Sequence, residues 1–410
     1  MSKRIAMISY HTCPLASIEG KETGGMNVYV LELSRQLALL GYQVDMFTRK
    51  HDPDSPRVVE VGQNLRLMHL PSGPPHTPKK QLIRHLDEFV AEFQAFSEQE
   101  NISYDLFHCH YYLSGIVGLK INDGYRIPRP IALTFHTLAL MKNLVARSEG
   151  EQETQERIKA EFLLAQQADK IIVPSESAKN YLELLYEGPP SRIMVVPPGF
   201  NGDLFKPIDP KISKEKIGAE HDHRVIMFVG RIEPLKGVDV LMYATKILRQ
   251  KHPDWPICLW ILGGDISQQM SQWSDELQKL ERLRKILNMR TSVKFVGQKP
   301  QDELPYYLNS AEVVVMPSNY ESFGMAALES MACGVPVITT NVSGISSFLD
   351  EAQKALVTSA HNPLLLASHI ETLLEDEAMH AKLGRDIHAK VQDLSWTRIA
   401  EKIAAVYETL

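Results

Sequence analysis

Val313-Val314-Val315-Met316-Pro317, with Asn319-Tyr320-Glu321-Ser322-Phe323-Gly324-Met325-Ala326-Ala327-Leu328-Glu329 close behind, is the stretch that decides the fold of this 410-residue chain. The β-branched run reads as a buried strand, and Pro317 ends it because proline cannot donate to a ladder. A loop follows with one carboxylate, Glu321, and Gly324 opens a helix that carries a second, Glu329. Small residues at that helix start leave backbone N–H groups to meet an anion. At about 100° per residue, Glu321 and Glu329 fall on one broad side of the helix and can serve one elongated ligand. A diphosphate between two hydroxylated sugars has that spacing. Standing alone, the same residues would be read as a surface acid and a capped helix.

Outward from this segment, short apolar runs alternate with amphipathic stretches along the whole chain, the pattern of βα units and parallel sheets. The first half predicts strands over 4–9, 43–48, 65–70, 106–109, 130–134 and 170–174, with helices over 25–40, 79–98, 152–167 and 177–185. After a strand at 193–196 the pattern restarts. Strands over 225–229, 257–262, 292–295, 313–316 and 335–339 alternate with helices near 238–249, 274–287, 303–309 and 325–332. The fold class is therefore α/β, with two doubly wound modules in succession. Pro197-Pro198-Gly199-Phe200-Asn201 is the expected hinge, and 364–410 reads as helical.

Composition narrows the function. Forty-four per cent apolar and 23 per cent charged residues describe an ordinary globular protein. A formal net charge of −6, with no basic arm, argues against nucleic acid as a partner. No stretch approaches the roughly 20 apolar residues of a membrane span, and the N-terminal apolar run is too short for a signal peptide. Cys13, Cys109, Cys258 and Cys333 are far apart and lack CxxC spacing. They read as buried small hydrophobes in a reducing compartment, so a cytoplasmic location is expected.

Open α/β sheets hold ligands beyond the carboxyl ends of their strands. The strand at 225–229 runs into Gly230-Arg231-Ile232-Glu233-Pro234-Leu235-Lys236-Gly237, where Arg231 offers a planar fork and Lys236 a point charge to one diphosphate. Leu262-Gly263-Gly264-Asp265 permits close backbone approach to a ligand. In the first half, Gly24-Gly25 opens a helix and suits a phosphate, although the three-glycine dinucleotide fingerprint is absent and a dehydrogenase is disfavoured. Thr77-Pro78-Lys79-Lys80 reads as an N-cap, a proline at the first helical position and two lysines that oppose the helix dipole. An anionic ligand would offset that cost. With Arg157 on the 152–167 helix, and Tyr111-Tyr112 and His136-Thr137 after strand ends, these donors together suggest a site for a phosphorylated acceptor.

The Glu321…Glu329 segment, the Arg231…Lys236 loop and the Gly263-Gly264 turn resemble the nucleotide-diphosphate-sugar motifs of retaining, GT-B-type glycosyltransferases of the group 1 superfamily. Met7-Ile8-Ser9-Tyr10-His11-Thr12, Gly24-Gly25-Met26-Asn27-Val28-Tyr29-Val30, His108-Cys109-His110-Tyr111-Tyr112-Leu113-Ser114-Gly115 and His136-Thr137-Leu138-Ala139 are similar to the inositol-phosphate N-acetylglucosaminyltransferases of mycothiol synthesis. Sucrose-phosphate synthases share that architecture and also use a phosphorylated acceptor. The resemblance covers nearly the whole chain. It implies two Rossmann-like domains facing a central cleft: an acceptor-binding domain over 1–198 and a nucleotide-sugar domain over 199–390. A last helix over 391–410 would pack back on the first domain, with Trp396 as its anchor. The resemblance also implies a UDP-sugar donor held by Gly24, Gly25, Gly263, Phe323, Gly324, Met325, Ala326 and Glu329, the last on the ribose hydroxyls. Lys79, Tyr111, Thr137 and Arg157 would hold the acceptor phosphate, Asn27 the acceptor hydroxyls, and His136 would line the donor-sugar pocket. A segment shorter than in the mycothiol enzymes precedes Lys79, which leaves Lys79 and Lys80 as alternatives.

The reaction expected is transfer of a glucose-type sugar from a UDP-sugar to a phosphorylated polyol or hexose with retention, the catalytic set being Arg231, Lys236, Glu321 and His136. Arg231, Lys236, the Gly24-Gly25 amides and the helix start at Gly324 would stabilise the leaving diphosphate, so no metal or other cofactor is expected. The family mechanism is front-face attack, with the departing phosphate oxygen taking the acceptor's proton and Glu321 orienting the sugar. Two alternatives stand beside it: a UDP-sugar epimerase of the same architecture and a non-catalytic sugar-nucleotide sensor. The sequence leaves open the acceptor, glucose against N-acetylglucosamine, and whether the protein forms a homodimer.

Overall fold

The structure is a computed structural model, and it describes residues 3–17, 24–341, 344–349, 354 and 356–410. Contacts divide the chain into two units, Met1–Gly199 together with Trp396–Leu410, and Phe200–Ser395.

In the first unit, β1 (Arg4–Ile8), β2 (Gln43–Arg49), β3 (Val58–Gly62), β4 (Leu65–Leu70), β5 (Leu106–His110), β6 (Ile131–Thr134), β7 (Lys170–Val173) and β8 (Ile193–Val195) form one sheet in the order β3-β4-β2-β1-β5-β6-β7-β8. The neighbours are parallel, except that β3 runs antiparallel to β4. β1, β2 and β5 are buried almost throughout, as strands covered on both faces must be. The helices are α1 (Gly25–Leu39), α2 (Leu86–Gln99), α3 (Tyr111–Asp123), α4 (Ala139–Leu144), α5 (Gln155–Gln167) and α6 (Glu176–Leu185). Strand order reverses between β1 and β5, so the loops leaving those strands part at a switch point, where such sheets hold ligands.

The second unit holds α7 (Pro210–Ile217), β9 (Arg224–Val229), α8 (Val238–Lys251), β10 (Ile257–Leu262), α9 (Asp275–Ile286), β11 (Val293–Gly297), α10 (Leu304–Asn309), β12 (Val313–Met316), α11 (Met325–Ala332), β13 (Val337–Thr339), α12 (Pro363–Glu375) and α13 (Glu377–Val391). Its sheet is parallel, ordered β11-β10-β9-β12-β13, and it reverses between β9 and β12. The Arg231…Lys236 loop leaves β9 and the Glu321 loop leaves β12. The two motifs therefore flank the switch point of this sheet.

Several expectations need correction. The unit boundary falls after Gly199, where a Cβ would lie 2.8 Å from the Trp396 backbone. The last helix begins at Trp396, so of the segment 391–410 residues 391–395 lie outside it. Val391 ends α13, a 3-10 turn spans Gln392–Leu394, and the Phe200 N–H donates to the Leu394 carbonyl at 3.0 Å, which ties that turn to the second unit. From Trp396, α14 (Trp396–Tyr407) buries Trp396, Ile399, Ala400, Ile403, Val406 and Tyr407 within the first unit. Those positions repeat at three and four residues and make one apolar stripe. The ring of Trp396 meets Tyr29 edge-on at 5.1 Å, and the Tyr407 hydroxyl hydrogen-bonds His108 Nδ1 at 2.6 Å. The single helix expected over 79–98 is two elements, a 3-10 helix over Lys79–His85 and then α2. Thr77 does not cap it: Pro78 occupies the N-cap position, and the Thr77 hydroxyl donates to the Pro74 carbonyl at 2.7 Å. Cys13 is half-exposed, while the other three cysteines are buried. Among the described residues, no helix is long and apolar enough to cross a membrane.

Candidate functional site

In the second unit, the loop after β9 ends in a 3-10 turn, Pro234–Lys236, closed by Gly237 at φ +64°. A Cβ on Gly237 would lie 2.2 Å from the Pro317 carbonyl oxygen, so the loop leaving β9 lies directly on the end of β12. Asn319 N–H donates to the Leu235 carbonyl at 2.7 Å and locks the two loops together. That packing brings Lys236 Nζ to 2.5 Å from Glu321 Oε2, with each side chain only 14% exposed. Arg231 is 62% exposed and pairs with Glu233 at 2.8 Å, so the fork expected beside Lys236 is turned to its own loop. Ser318 Oγ and Asn319 Oδ1, at the same strand end, are buried without a hydrogen-bond partner among the described residues. The apolar run that located this segment gave no sign of them.

Gly324, at φ +107°, is the N-cap of α11 with no side chain capping it, and Met325 and Ala326 lie half-buried in the first turn. The Phe323 side chain is buried, its ring centroid 5.6 Å from that of Phe348. Glu329 is 8% exposed, and burial pushes its carboxyl up to about 8 against an opposing hydrogen bond from Gln301. Gly263 is re-read. At φ +132° its Cβ would lie 1.9 Å from the Gly230 carbonyl oxygen, so the close approach it permits is between the loops leaving β9 and β10.

In the first unit the acceptor-site candidates converge on one ring. Lys79 Nζ stands 4.2 Å from the Tyr111 ring centroid and the Arg157 guanidinium 4.8 Å from it. Lys80 instead points to the carbonyls of Gly150 and Gln152 at 3.4 Å, which separates the two lysines that the sequence left equivalent. Tyr111 has φ +76° and His136 φ +61°. Left-handed backbone at a bulky residue costs about 1–3 kcal/mol and is retained where a site demands it. Both residues follow the carboxyl ends of adjacent strands, β5 and β6. The Thr154 hydroxyl caps α5 by accepting from Arg157 N–H, and the Arg157 side chain, 1% exposed, donates to Glu161 at 2.7 Å, Glu153 at 2.9 Å, and the Thr137 carbonyl and hydroxyl at 2.9 and 3.0 Å. Burial alone would lower its pKa, but Glu161 and Glu153 raise it above the ordinary arginine value. Burial also pushes Glu161 up. The Glu161 carboxylate nevertheless accepts from Arg157, Ala139 N–H and the Tyr186 hydroxyl, so we take the pair as ionised.

Asn27 is buried, accepts from the Thr12 hydroxyl at 3.0 Å and donates to the Cys13 carbonyl at 2.8 Å, so its amide fastens the loop after β1. Gly24, the N-cap of α1, has φ −129°, and a Cβ there would make only an ordinary 3.8 Å contact with Asn27. Among the described residues, nothing requires glycine at 24. Thr23, the residue before this pair, lies outside the described residues. Burial lowers His136 to about 3 and keeps it neutral. His110 Nε2 lies 2.8 Å from Met7 Sδ, which can only accept, and His110 Nδ1 lies 3.0 Å from His136 Nε2. The proton order that follows puts N–H on His136 Nε2 and leaves His136 Nδ1 as an acceptor. His11, missed from the sequence, lies tilted against Tyr111 with ring centroids 4.4 Å apart and carries a buried Nδ1 without a partner among the described residues. Its place directly after β1, at the switch point, was the available signal.

Comparison with known proteins agrees with this picture. Residues 209–389 match the family described as Glycosyl transferases group 1, and residues 23–204 match Glycosyltransferase Family 4. A D-inositol 3-phosphate glycosyltransferase of Corynebacterium glutamicum is 33% identical over 408 residues, covering 98% of this chain and 96% of the relative. The corresponding enzyme of Acidothermus cellulolyticus is 34% identical over 99% of this chain and 90% of its own length. Sucrose-phosphate synthase from Thermosynechococcus elongatus superposes with TM-score 0.88 at 31% identity, over 99% of this chain and 98% of that one. An Anabaena protein solved with UDP-glucose, HepE, shares the fold at TM-score 0.74 and 18% identity, over 99% of this chain and all of its own. The chain belongs to the group 1 glycosyltransferases of GT-B fold, and it is a transferase.

Proposed function

We propose that this glycosyltransferase moves a glucose-type sugar from a UDP-sugar to a phosphorylated polyol or hexose, with retention and without a metal. The reading rests on the convergence of Lys79 and Arg157 on Tyr111 at the switch point of the first unit. Two cations over one ring, with the Thr137 hydroxyl bonded to one of them, make an anion pocket that a neutral acceptor would not use. Relatives named for D-inositol 3-phosphate and for sucrose phosphate favour the same class of acceptor.

In the second unit, Lys236 and Arg231 would leave Glu321 and Glu233 to meet the diphosphate, with the start of α11 at Gly324 adding its amides. Glu329 takes the ribose hydroxyls. Glu321, once released, orients the donor sugar, and His136 Nδ1 accepts from a sugar hydroxyl. Gly24 and Gly25 let backbone approach the ligand, since nothing among the described residues requires Gly24. In the reaction the bond from the anomeric carbon to the diphosphate oxygen breaks and a bond to the acceptor oxygen forms on the same face. The acceptor's hydroxyl proton passes to the departing phosphate oxygen, and UDP leaves. The fixed cations and amide dipoles carry the developing charge that a metal would otherwise meet.

A UDP-release assay on the full chain tests this, with UDP-glucose and UDP-N-acetylglucosamine against inositol phosphate, fructose 6-phosphate and their unphosphorylated counterparts. Release should require a phosphorylated acceptor, persist in chelator, and yield an α-linked product by NMR coupling. Release with neutral acceptors alone, or its loss in chelator, overturns the reading.

A further inference from the structure

β2 ends in Arg49, which is 1% exposed and carries no ion pair among the described residues. Burial lowers its pKa, and among the described residues the Tyr10 hydroxyl is the electrostatic partner that favours its charge. An arginine buried without a carboxylate is costly, so its donors must be well used. They are used on one segment. Nη1 donates to the Ser72 carbonyl at 3.2 Å and the Pro74 carbonyl at 3.0 Å, and Nη2 donates to the Pro75 carbonyl at 2.9 Å. Nη2 also lies 3.2 Å from His51 Nδ1, while Nε is buried with no partner.

The clamped segment is the shortened one that leads from β4 to Lys79. Pro74 and Pro75 have no N–H, so between the backbone donors of Gly73 and Thr77 these two residues can be held only through their carbonyls. Only a guanidinium fork supplies several divergent donors from one side chain; a lysine ammonium is a single point. Pro74 is also where Thr77 N–H and hydroxyl bond, at 3.1 and 2.7 Å, so the clamp reaches to within two residues of Lys79. Burial first, and then the cations Lys79 and Arg157, depress the His11 ring that lies against Tyr111. Arg157 is paired with Glu153 and Glu161, whereas Arg49 has no carboxylate partner among the described residues.

We propose that Arg49 is a positioning residue for anion binding: its clamp on Ser72, Pro74 and Pro75 fixes Lys79 over Tyr111, and its unneutralised charge biases the pocket toward phosphate-bearing acceptors. This rests on the acceptor reading above. Binding of inorganic phosphate, followed by 31P NMR titration of the full chain, probes the pocket without knowing the acceptor. Arg49→Gln should weaken phosphate binding by about tenfold or more, leave UDP binding within about twofold, and speed amide exchange over residues 76–85. Arg49→Lys should fall between it and the parent in phosphate binding, because it keeps the charge, yet exchange as fast as Arg49→Gln, because the fork is gone. Unchanged phosphate binding in Arg49→Gln, with binding lost in Lys79→Gln, overturns this inference and leaves the acceptor site standing. Unchanged binding in Lys79→Gln removes the acceptor site and this inference with it. Should Arg49→Gln fail to fold, Arg49→Lys decides alone, and phosphate affinity equal to the parent's refutes the proposal.

Discussion

At the scale of single residues, charge burial separates the groups that hold the fold from those that wait for a ligand. Glu329 is held up at about 8 by burial, from an ordinary 4.5. Between those values the unfolded chain has lost the proton and the folded chain keeps it, so stability falls as pH rises from 4.5 toward 8. Glu329→Gln keeps the shape and removes the ionisation. Its Tm should match the parent's at about pH 5 and exceed it at about pH 9; an equal difference at both would mean that the carboxylate is buried without penalty. Lys236 behaves differently, since its partner Glu321 is small enough a constraint to exchange for a diphosphate. Lys236→Ala should lower turnover by about 10²–10³ while the Tm moves little, as removal of a charge-stabilising donor does. UDP release measured beside thermal unfolding checks both halves. Arg157 is a poor probe of the acceptor by comparison. Arg157→Ala leaves the buried Glu161 without its cation, although Glu153 keeps Lys142, and it should destabilise the first unit by about 3–5 kcal/mol in a denaturant titration before any effect on the acceptor is read.

Elements show why part of the site was legible and part was not. The five apolar runs of the second unit gave its strands because a parallel sheet covered on both faces leaves a continuous hydrophobic signal. β3 gave none, since Val58–Gly62 is an edge whose residues alternate between exposed and half-buried. No helix was expected where α3 lies, and Gly115 and Gly118 weaken its helical signal; they pack where a Cβ would meet Leu164 and Cys109 at 2.8 and 2.7 Å. The charged motifs were placed correctly on loops, but their present partners were invisible: that Lys236 meets Glu321 depends on the loop leaving β9 resting on the end of β12. Gly237 is the hinge of that contact. With φ +64° and the Pro317 carbonyl in the way of a Cβ, Gly237→Ala should separate the two loops. Donor affinity measured by calorimetry with UDP should fall well over tenfold while the acceptor-side response to phosphate is unchanged. An unchanged UDP affinity would mean the loops bind independently.

Across the whole molecule, the order of the chain and the grouping of its parts disagree at one place. Phe200–Ser395 is continuous in sequence, whereas the other unit closes its core only with Trp396–Leu410. α14 gives that unit six buried side chains, and Tyr407 reaches the buried imidazole of His108, itself lowered to about 3 by burial. A fragment of residues 200–395 should therefore unfold cooperatively on its own, while residues 1–199 should expose the apolar face that α14 covers and aggregate. Supplying residues 396–410 in trans as a peptide should restore a cooperative transition to the first fragment, with a Tm that rises with peptide concentration as mass action requires. The point variant Tyr407→Phe isolates one contact from the rest: it keeps the ring, removes the hydroxyl from His108, and should cost about 1–3 kcal/mol in denaturant unfolding of the full chain. If residues 1–199 fold alone with the stability they have in the intact protein, the returning helix is an ornament on that unit instead of part of its core.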